Sequence, residues 1–185
     1  DAASKYYSNI INMDYKDFFM EMIDHVMNVT IGNSNESFSL KEIANEKMIP
    51  ELEFNFSINA VNKQVLNDIL GTEADLNGEA NLEGLMTGFI DLFFEHNGKY
   101  FILDWKSNHL GNNLENYSQE NMEEAMKGSN YNLQYYIYTI AANRFLKTKI
   151  KDYNYEKHFG GVIYLFLRGI RSNQSSGVYF KKPLI

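Results

Sequence analysis

The sequence predicts an α/β fold in which a mixed central sheet is flanked by helices. Residues 160–169, GGVIYLFLRG, form a continuous apolar run bounded by glycines, which is typical of a strand buried on both faces. Residues 85–94 and 100–106 are two more apolar runs on either side of a turn over 95–99, which is typical of paired strands. The longest helical pattern, from about residue 120 to 147 with a break near Gly128, separates this pair from the buried strand.

Shorter patterns predict the other elements in chain order. Apolar residues at helical spacing follow Asp14, a favourable N-cap, and predict a helix over 15–30. After Pro50, the stretch ELEFNFSI alternates apolar and polar side chains, which predicts a strand with one apolar face. The remaining patterns predict a helical turn over 40–44, a helix over 60–70, an acidic surface loop over 71–84 and a strand just before Pro183.

Length and composition exclude several classes of protein. The 185 residues suit one compact domain over 1–185, and no apolar run reaches the roughly 18 residues that cross a membrane. Cysteine is absent, which excludes disulfides, zinc–thiolate sites and iron–sulfur clusters and fits a reducing cytoplasm. Because the chain begins with Asp rather than Met, we expect an excised, N-terminally truncated piece of a larger protein.

The charges are distributed unevenly along the chain. Residues 1–126 contain 22 acidic and 7 basic side chains, whereas residues 127–185 contain 2 acidic and 10 basic ones. One interpretation is an accident of chain order, because the two parts intermix in a folded domain. The other is a basic face for a polyanion such as DNA.

Three charged residues stand inside the apolar runs of the paired strands: Asp91, Asp104 and Lys106. Asp104 and Lys106 are two positions apart, so their side chains point to the same side of a strand. Asp91, on the neighbouring strand, can lie close to them. Two converging carboxylates repel, and a divalent cation such as Mg²⁺ relieves this repulsion, since it prefers oxygen ligands. A lysine beside such a metal can orient a water molecule and stabilise charge on an attacked phosphate.

A third carboxylate is available on the preceding strand. Glu53 lies on the polar face of ELEFNFSI, and Glu51 lies on the same face, so the choice between them stays open. Each of these residues also has a purely structural interpretation. An Asp-x-Lys pair is most often a surface ion pair, and a glutamate on a polar strand face is most often solvated. The apolar surroundings of Asp91, Asp104 and Lys106 favour the metal site.

The spacing of these motifs resembles that of a known nuclease family. GFID, DWK and LQYYIY follow one another as in the RecB-type nucleases of the PD-(D/E)XK superfamily. The stretches KGSNYNLQYYIYTIAANRFLK and DYNYEKHFGGVIYLFLRG are similar to the C-terminal nuclease domain of RecB subunits, over about residues 86–170. The resemblance implies a restriction-endonuclease-like core and Mg²⁺-dependent hydrolysis of DNA, with Mn²⁺ or Ca²⁺ able to substitute in binding.

The resemblance also implies roles for individual residues. Asp91 and Asp104 would bind the metal with Glu53 and the backbone carbonyl of Trp105, and Lys106 would be the catalytic lysine. Gln134 and Tyr138 match the Gln-x-x-x-Tyr signature of the family, and four residues separate them, so they share one helix face. For Tyr138 alone, packing in an aromatic core is an equally good explanation.

The family places a further metal-binding histidine on a helix upstream of the glutamate, and this chain has no match to it. His25 has the wrong local sequence, His96 lies in the turn, and His109 and His158 lie outside the motif. We therefore expect that histidine before residue 1, which makes the activity of the fragment an open question.

The resemblance implies a set of partners as well. They are single- and double-stranded DNA ends, RecC and RecD subunits and, as a candidate, the RecA recombinase, in double-strand-break repair. The alternative function is a catalytically silent nuclease fold that docks a recombinase or a partner subunit. The intact set of Asp91, Asp104 and Lys106 favours the nuclease.

Overall fold

The computed structural model describes residues 13–33, 36–57, 85–129 and 131–184. The helices of this part are α1 (Met13–Met27), α2 (Gln119–Gly128), α3 (Tyr131–Lys149) and α4 (Tyr155–His158). The strands are β1 (Ile31–Asn33), β2 (Glu36–Phe38), β3 (Met48–Ser57), β4 (Leu85–His96), β5 (Lys99–Lys106), β6 (Phe159–Phe166) and β7 (Val178–Lys181). Short 3₁₀ turns cover Leu40–Glu42, Asn45–Lys47, Leu114–Tyr117 and Leu167–Gly169.

Strands β3 to β7 form one mixed sheet in chain order. All neighbouring pairs in it are antiparallel except β5 and β6, which run parallel because α2 and α3 form the crossover between them. Strand β3 is at one edge, which allows Pro50 to lie within it without removing a needed hydrogen bond. The α/β class with a mixed sheet flanked by helices is confirmed, and it is consistent with the core of PD-(D/E)XK nucleases.

Two hydrophobic cores cover the two faces of the sheet. We call them the α3 face and the α1 face after the helices that lie against them. The α3 face buries Ile90, Ile102 and Phe166 against the helix residues Met126 and Ala142. The α1 face has mainly aliphatic residues and phenylalanine, and its buried side chains include Val29, Leu40, Phe94, Leu103 and Ile163.

Several element boundaries differ from the predicted ones. Helix α1 ends at Met27 rather than at residue 30, and the break predicted near Gly128 separates α2 from α3. The predicted five-residue turn is wrong: β4 and β5 continue to a two-residue turn at Asn97 and Gly98, whose positive φ angles suit Asn-Gly. The helix predicted over 60–70 and the loop predicted over 71–84 lie outside the described residues.

No helix within the described ranges is both long and apolar enough to cross a membrane.

Candidate active site

A buried ion pair forms the centre of the candidate site. Asp104 and Lys106, two apart on β5, both point to the α3 face, and Lys106 Nζ lies 2.7 Å from Asp104 Oδ2. Asp104 is 3% exposed and Lys106 is 7% exposed. Ions at that depth lose most of their hydration, so they are tolerated only when they are paired and hydrogen-bonded. The prediction that both side chains share one side of the strand is confirmed.

Gln134 of α3 connects the ion pair to the helix. Its Oε1 accepts a hydrogen bond from Lys106 Nζ at 2.9 Å and a longer one from Tyr164 OH at 3.4 Å. Its Nε2 donates to Asp104 Oδ1 at 3.2 Å and to Tyr138 OH at 2.8 Å. The amide therefore uses both its donors and both its acceptor sites, which fixes its orientation. Gln134 and Tyr138, predicted to share a helix face, do lie together beside Asp104.

Two tyrosine rings enclose the ammonium group of Lys106. Its Nζ lies 3.7 Å from the ring centroid of Tyr131 and 4.8 Å from that of Tyr164. Tyr131 OH in turn donates to Asn108 Oδ1 at 3.3 Å. Cation–π contacts of this kind stabilise a partly desolvated cation by about 2 kcal/mol. Tyr131 was not predicted as a site residue, although it stands three residues before Gln134 and therefore on the same helix face.

Asp91 reaches the site through a break in strand β4. Ile90 packs on the α3 face and Leu92 on the α1 face, although residues two apart on a regular strand share a face. Pairing with β5 begins at Leu92 and Leu103, so Asp91 lies where the two strands separate. Its Oδ2 accepts a hydrogen bond from the Trp105 N–H at 2.9 Å. Irregular strand positions often re-aim side chains beside active sites in this way.

The carboxylates and the phenol influence one another's protonation. Burial raises the pKa of the Asp104 carboxyl group, the hydrogen bond and charge of Lys106 oppose the rise, and the charge of Asp91 adds to it. The pKa of Tyr138 is also raised, first by burial and then by the charges of Asp104 and Asp91, while the hydrogen bond from Gln134 lowers it. Tyr138 is therefore neutral at physiological pH and remains able to donate a hydrogen bond.

Neither glutamate of β3 contacts the ion pair. Glu53 is exposed, pairs in register with Phe89, and accepts a long 3.4 Å hydrogen bond from Asn55 Nδ2. Glu51 is also exposed. It lies opposite Asp91 in the strand register, between the pairs Pro50–Leu92 and Leu52–Ile90. Its φ of 50° is uncommon for a residue other than glycine. Glu53 as a metal ligand stays a prediction, and the alternative Glu51 is nearer to Asp91 along the ladder.

The donor atoms at the site fit Mg²⁺. Asp104 uses one lone pair on each oxygen for Lys106 and Gln134, which leaves a second on each. In an extended strand the N–H and C=O of one residue point to the same edge, so the Trp105 carbonyl points to the β4 edge of β5, as its N–H does. Two carboxylates with a carbonyl suit Mg²⁺, which retains several waters. Within 13–33, 36–57, 85–129 and 131–184, no three acidic or histidine side chains form a metal cluster by themselves.

The four histidines make their contacts elsewhere. His25 Nδ1 lies 2.9 Å from Ser172 Oγ, and His96 stacks on Phe38. His109 Nε2 is 3.1 Å from Asn112 Oδ1, and His158 Nδ1 accepts from the Asn154 N–H at 2.9 Å. That the family's metal-binding histidine lies before residue 1 stays a prediction.

Comparisons with known proteins agree with the resemblance seen in the sequence. The chain is 39% identical over 158 residues to "RecBCD enzyme subunit RecB" of Haemophilus influenzae, an alignment that covers 82% of this chain. It is 40% identical over 172 residues, 89% of the chain, to the protein of the same name from Buchnera aphidicola subsp. Schizaphis graminum. The chain is homologous to one segment of RecB. The Escherichia coli RecB is 50% identical over 103 residues, or 55% of the chain.

The matched segment is a small part of each RecB relative. The chain spans 13% of the length of the Haemophilus protein, 14% of the Buchnera protein and 9% of the Escherichia coli protein. No protein-family model matches the chain. The similarity therefore concerns one segment of RecB, and the chemistry of this segment depends on the residues of the site.

Proposed function

We propose that this chain is the nuclease domain of a RecB-type subunit and hydrolyses phosphodiester bonds of DNA with the help of Mg²⁺. The observation that carries the proposal is the buried pair of Asp104 and Lys106, held by Gln134 and flanked by Asp91. An ion pair at this depth gains little stability over apolar residues of the same size. Its placement where β4 and β5 separate therefore favours a functional explanation.

Each residue of the site has a role in this proposal. Asp91 and Asp104, with the Trp105 carbonyl, would hold Mg²⁺, which activates a water molecule and stabilises negative charge on the phosphate. Lys106 would orient the attacking water and stabilise the charge that develops on the phosphate. Gln134 fixes the positions of both Asp104 and Lys106, and Tyr138 holds the Gln134 amide from the other side.

The proposed partners follow from the family. The relatives are named as RecB subunits of the RecBCD enzyme, so we propose RecC and RecD as partner subunits and DNA ends as substrate. We also propose double-strand-break repair as the process and the RecA recombinase as a further partner. Residues 1–185 are proposed to form a single nuclease domain.

Cleavage of linear single-stranded DNA with Mg²⁺ or Mn²⁺ tests the nuclease activity. The complete gene product that contains this chain is compared with its Lys106→Ala variant. Removing one preorganised charge from an active site typically costs about 10²- to 10³-fold in rate, so we expect at least a 100-fold loss. Lys127→Ala is the matched control, because Lys127 is exposed on α2 with Glu123 at 3.6 Å. A wild-type protein that does not cleave with either metal would refute the proposal and favour the docking function.

A second comparison identifies the third carboxylate. Calcium binding is measured by calorimetry for Asp91→Asn, Glu51→Gln and Glu53→Gln, since Ca²⁺ also prefers oxygen ligands. We expect Asp91→Asn to weaken binding about ten-fold or more, and one of the two glutamate variants to weaken it by a smaller factor. Unchanged binding in Asp91→Asn would contradict the proposed ligand set.

A further inference from the structure

A groove adjoins the candidate site at the end of the sheet where β5 and β6 both terminate. It has a volume of about 520 Å³ and opens on the α1 side of the sheet. Ser107, which directly follows Lys106, forms part of its wall. A second hollow of about 220 Å³ lies next to it and contains His109 and Asn112. Arg168 and Arg171 line both hollows and stand between them.

The two arginines have no acidic partner within the described part of the chain. Arg168 Nε donates to the Ser107 carbonyl at 3.0 Å, and Arg171 Nη1 donates to the Ile170 carbonyl at 2.6 Å. The acidic side chain in the groove wall is Glu21, which lies 3.6 Å from His25 on the same helix. Two guanidinium groups without carboxylate partners match the charge and shape of phosphate.

The opposite wall of the groove, formed by α1, carries an aromatic ring and another apolar side chain beside Glu21 and His25. Phe18 and Met22 of α1 line it, and Phe18 is 59% exposed. Exposed aromatic rings beside basic residues are the features that bind single-stranded nucleic acid, because unpaired bases can stack on the ring. A duplex keeps its base faces stacked inside, so it would leave Phe18 without a partner.

The sheet topology places this groove next to the end of the strand that carries the proposed catalytic lysine, on the opposite face of the sheet from the lysine side chain. Ligands of open α/β sheets bind beyond the carboxyl ends of the strands. The parallel strands β5 and β6 end side by side, with Lys106 in register with Phe166, and Arg168 follows two residues later. A nucleic acid strand in the groove would therefore pass Ser107 and reach the edge of the sheet at Lys106.

We infer that the groove formed by Phe18, Met22, Ser107, Arg168 and Arg171 binds a single DNA strand, with phosphates on the arginines and a base on Phe18. This inference rests on the proposed function and adds to it the surface that holds the strand and the side from which the strand enters. The basic half of the sequence thus contributes to DNA binding through two particular arginines rather than through its overall charge.

Binding of a fluorescent 20-nucleotide oligo(dT) tests the arginines. Anisotropy is measured on the complete gene product in EDTA, which prevents cleavage, over a series of salt concentrations. Each lost phosphate contact lowers the slope of log affinity against log salt by about 0.7 and weakens binding about five-fold at 0.1 M salt. We expect that change for Arg168→Gln and for Arg171→Gln, and about 25-fold weaker binding for the double variant. Lys149→Gln, an exposed lysine at the end of α3, is the control.

Two further variants separate charge from structure and test the aromatic contact. Arg168→Lys retains the charge and should retain the salt slope, whereas a purely structural role for Arg168 would leave the slope of Arg168→Gln unchanged. Phe18→Leu removes the stacking surface and should weaken binding about ten-fold, while Phe18→Tyr should bind like the wild type. Phe19→Leu is the control, because Phe19 is 48% exposed and does not line the groove.

The outcomes distinguish this inference from the proposed function. If the double arginine variant is folded and binds with unchanged affinity and slope, the groove assignment is wrong even if the protein cleaves DNA. If a duplex of the same length binds more tightly and depends equally on both arginines, the single-strand assignment is wrong. If the wild type binds oligo(dT) through the arginines but does not cleave it, the groove assignment holds and the nuclease proposal fails.

Discussion

The two faces of the central sheet are built from the same strands but differ in chemistry. On β5, Leu103 and Trp105 point to the α1 face, whereas Asp104 and Lys106 point to the α3 face. Among the described residues, the buried polar and charged side chains are Asp104, Lys106 and Thr139, and all three belong to the α3 side. Strict alternation along one strand thus separates an apolar face from the face that carries the candidate site.

The tyrosines follow the same division, whereas phenylalanines pack on both faces. Three of the rings near the ion pair are those of Tyr131, Tyr138 and Tyr164, and each makes a hydrogen bond through its hydroxyl group. The rings at the α1 face are mainly phenylalanines such as Phe94 and Phe101, stacked with centroids 5.3 Å apart. A tyrosine packs like an apolar residue and still offers a polar group, so the α3 face can surround two ions without leaving their hydrogen-bonding groups unpaired.

The largest expected effect comes from removing only one partner of the ion pair. Lys106→Met leaves Asp104 buried without its cation, which typically costs about 4 kcal/mol of unfolding free energy. In the double variant Asp104→Leu with Lys106→Met, both charges are gone, and we expect most of this loss to be recovered. Urea denaturation in EDTA measures the unfolding free energy of the single and the double variant, and neither variant should cleave DNA.

The α1 face provides the matched comparison for that experiment. Leu103→Ala removes a fully buried side chain next to Asp104 in sequence and should cost about 3 kcal/mol. It should leave Ca²⁺ binding unchanged, because Leu103 points away from the site. If the double variant is as unstable as Lys106→Met, the ion pair itself contributes to stability. The proposed difference in stabilisation between the two faces is then wrong.

The fold and the centre of the site could be predicted from the sequence because both depend on periodicity. The apolar runs predicted the strands β4, β5 and β6, and the two-residue spacing placed Asp104 and Lys106 on one side. The four-residue spacing placed Gln134 beside Tyr138. Hydrophobic patterns show which face of a strand or helix is buried. The face of any side chain that follows alternation or helical spacing can therefore be predicted from them.

Other parts of the site could not be predicted, because they depend on departures from periodicity. The break in alternation at Asp91 and the positive φ of Glu51 opposite it have no signature in the pattern of apolar residues. The three-residue strands β1 and β2 are too short to show a period. Tyr131 was not among the predicted site residues, because only the three-dimensional arrangement shows that its ring faces Lys106.

An intermediate effect is expected from removing the ring that covers the lysine. Tyr131→Leu loses the cation–π contact with Lys106 and should lower the unfolding free energy by about 1.5 kcal/mol. Tyr131→Phe keeps the ring and loses only the hydrogen bond to Asn108, so it should retain most of the stability and the cleavage rate. Equal losses in both variants would mean that the hydroxyl group, rather than the ring, is the important part.

The smallest effect concerns the pH dependence of stability in EDTA. The pKa of Asp104 is raised in the folded state, so the folded protein binds more protons than the unfolded chain between the ordinary and the raised pKa. Stability from this group is therefore present at low pH and is lost as pH rises through the raised pKa, by at most about 1.4 kcal/mol per pH unit. Partly buried Glu95, whose pKa is lowered by the hydrogen bonds it accepts from Lys47 and the Gly98 N–H, acts in the opposite direction.

The contribution of Asp104 has to be isolated as a difference, because the surface acids mask it. The unfolding free energy of the wild type minus that of Asp104→Asn, measured from pH 4 to pH 8 in EDTA, should decrease as pH rises. Saturating Mg²⁺ should remove the decrease, because metal binding needs the ionised carboxylate and stabilises it in the folded state. A difference that rises with pH in EDTA would mean that the charge of Lys106 outweighs burial at Asp104. The α3 face would then gain stability from its ion pair, and the two faces would differ less than their composition indicates.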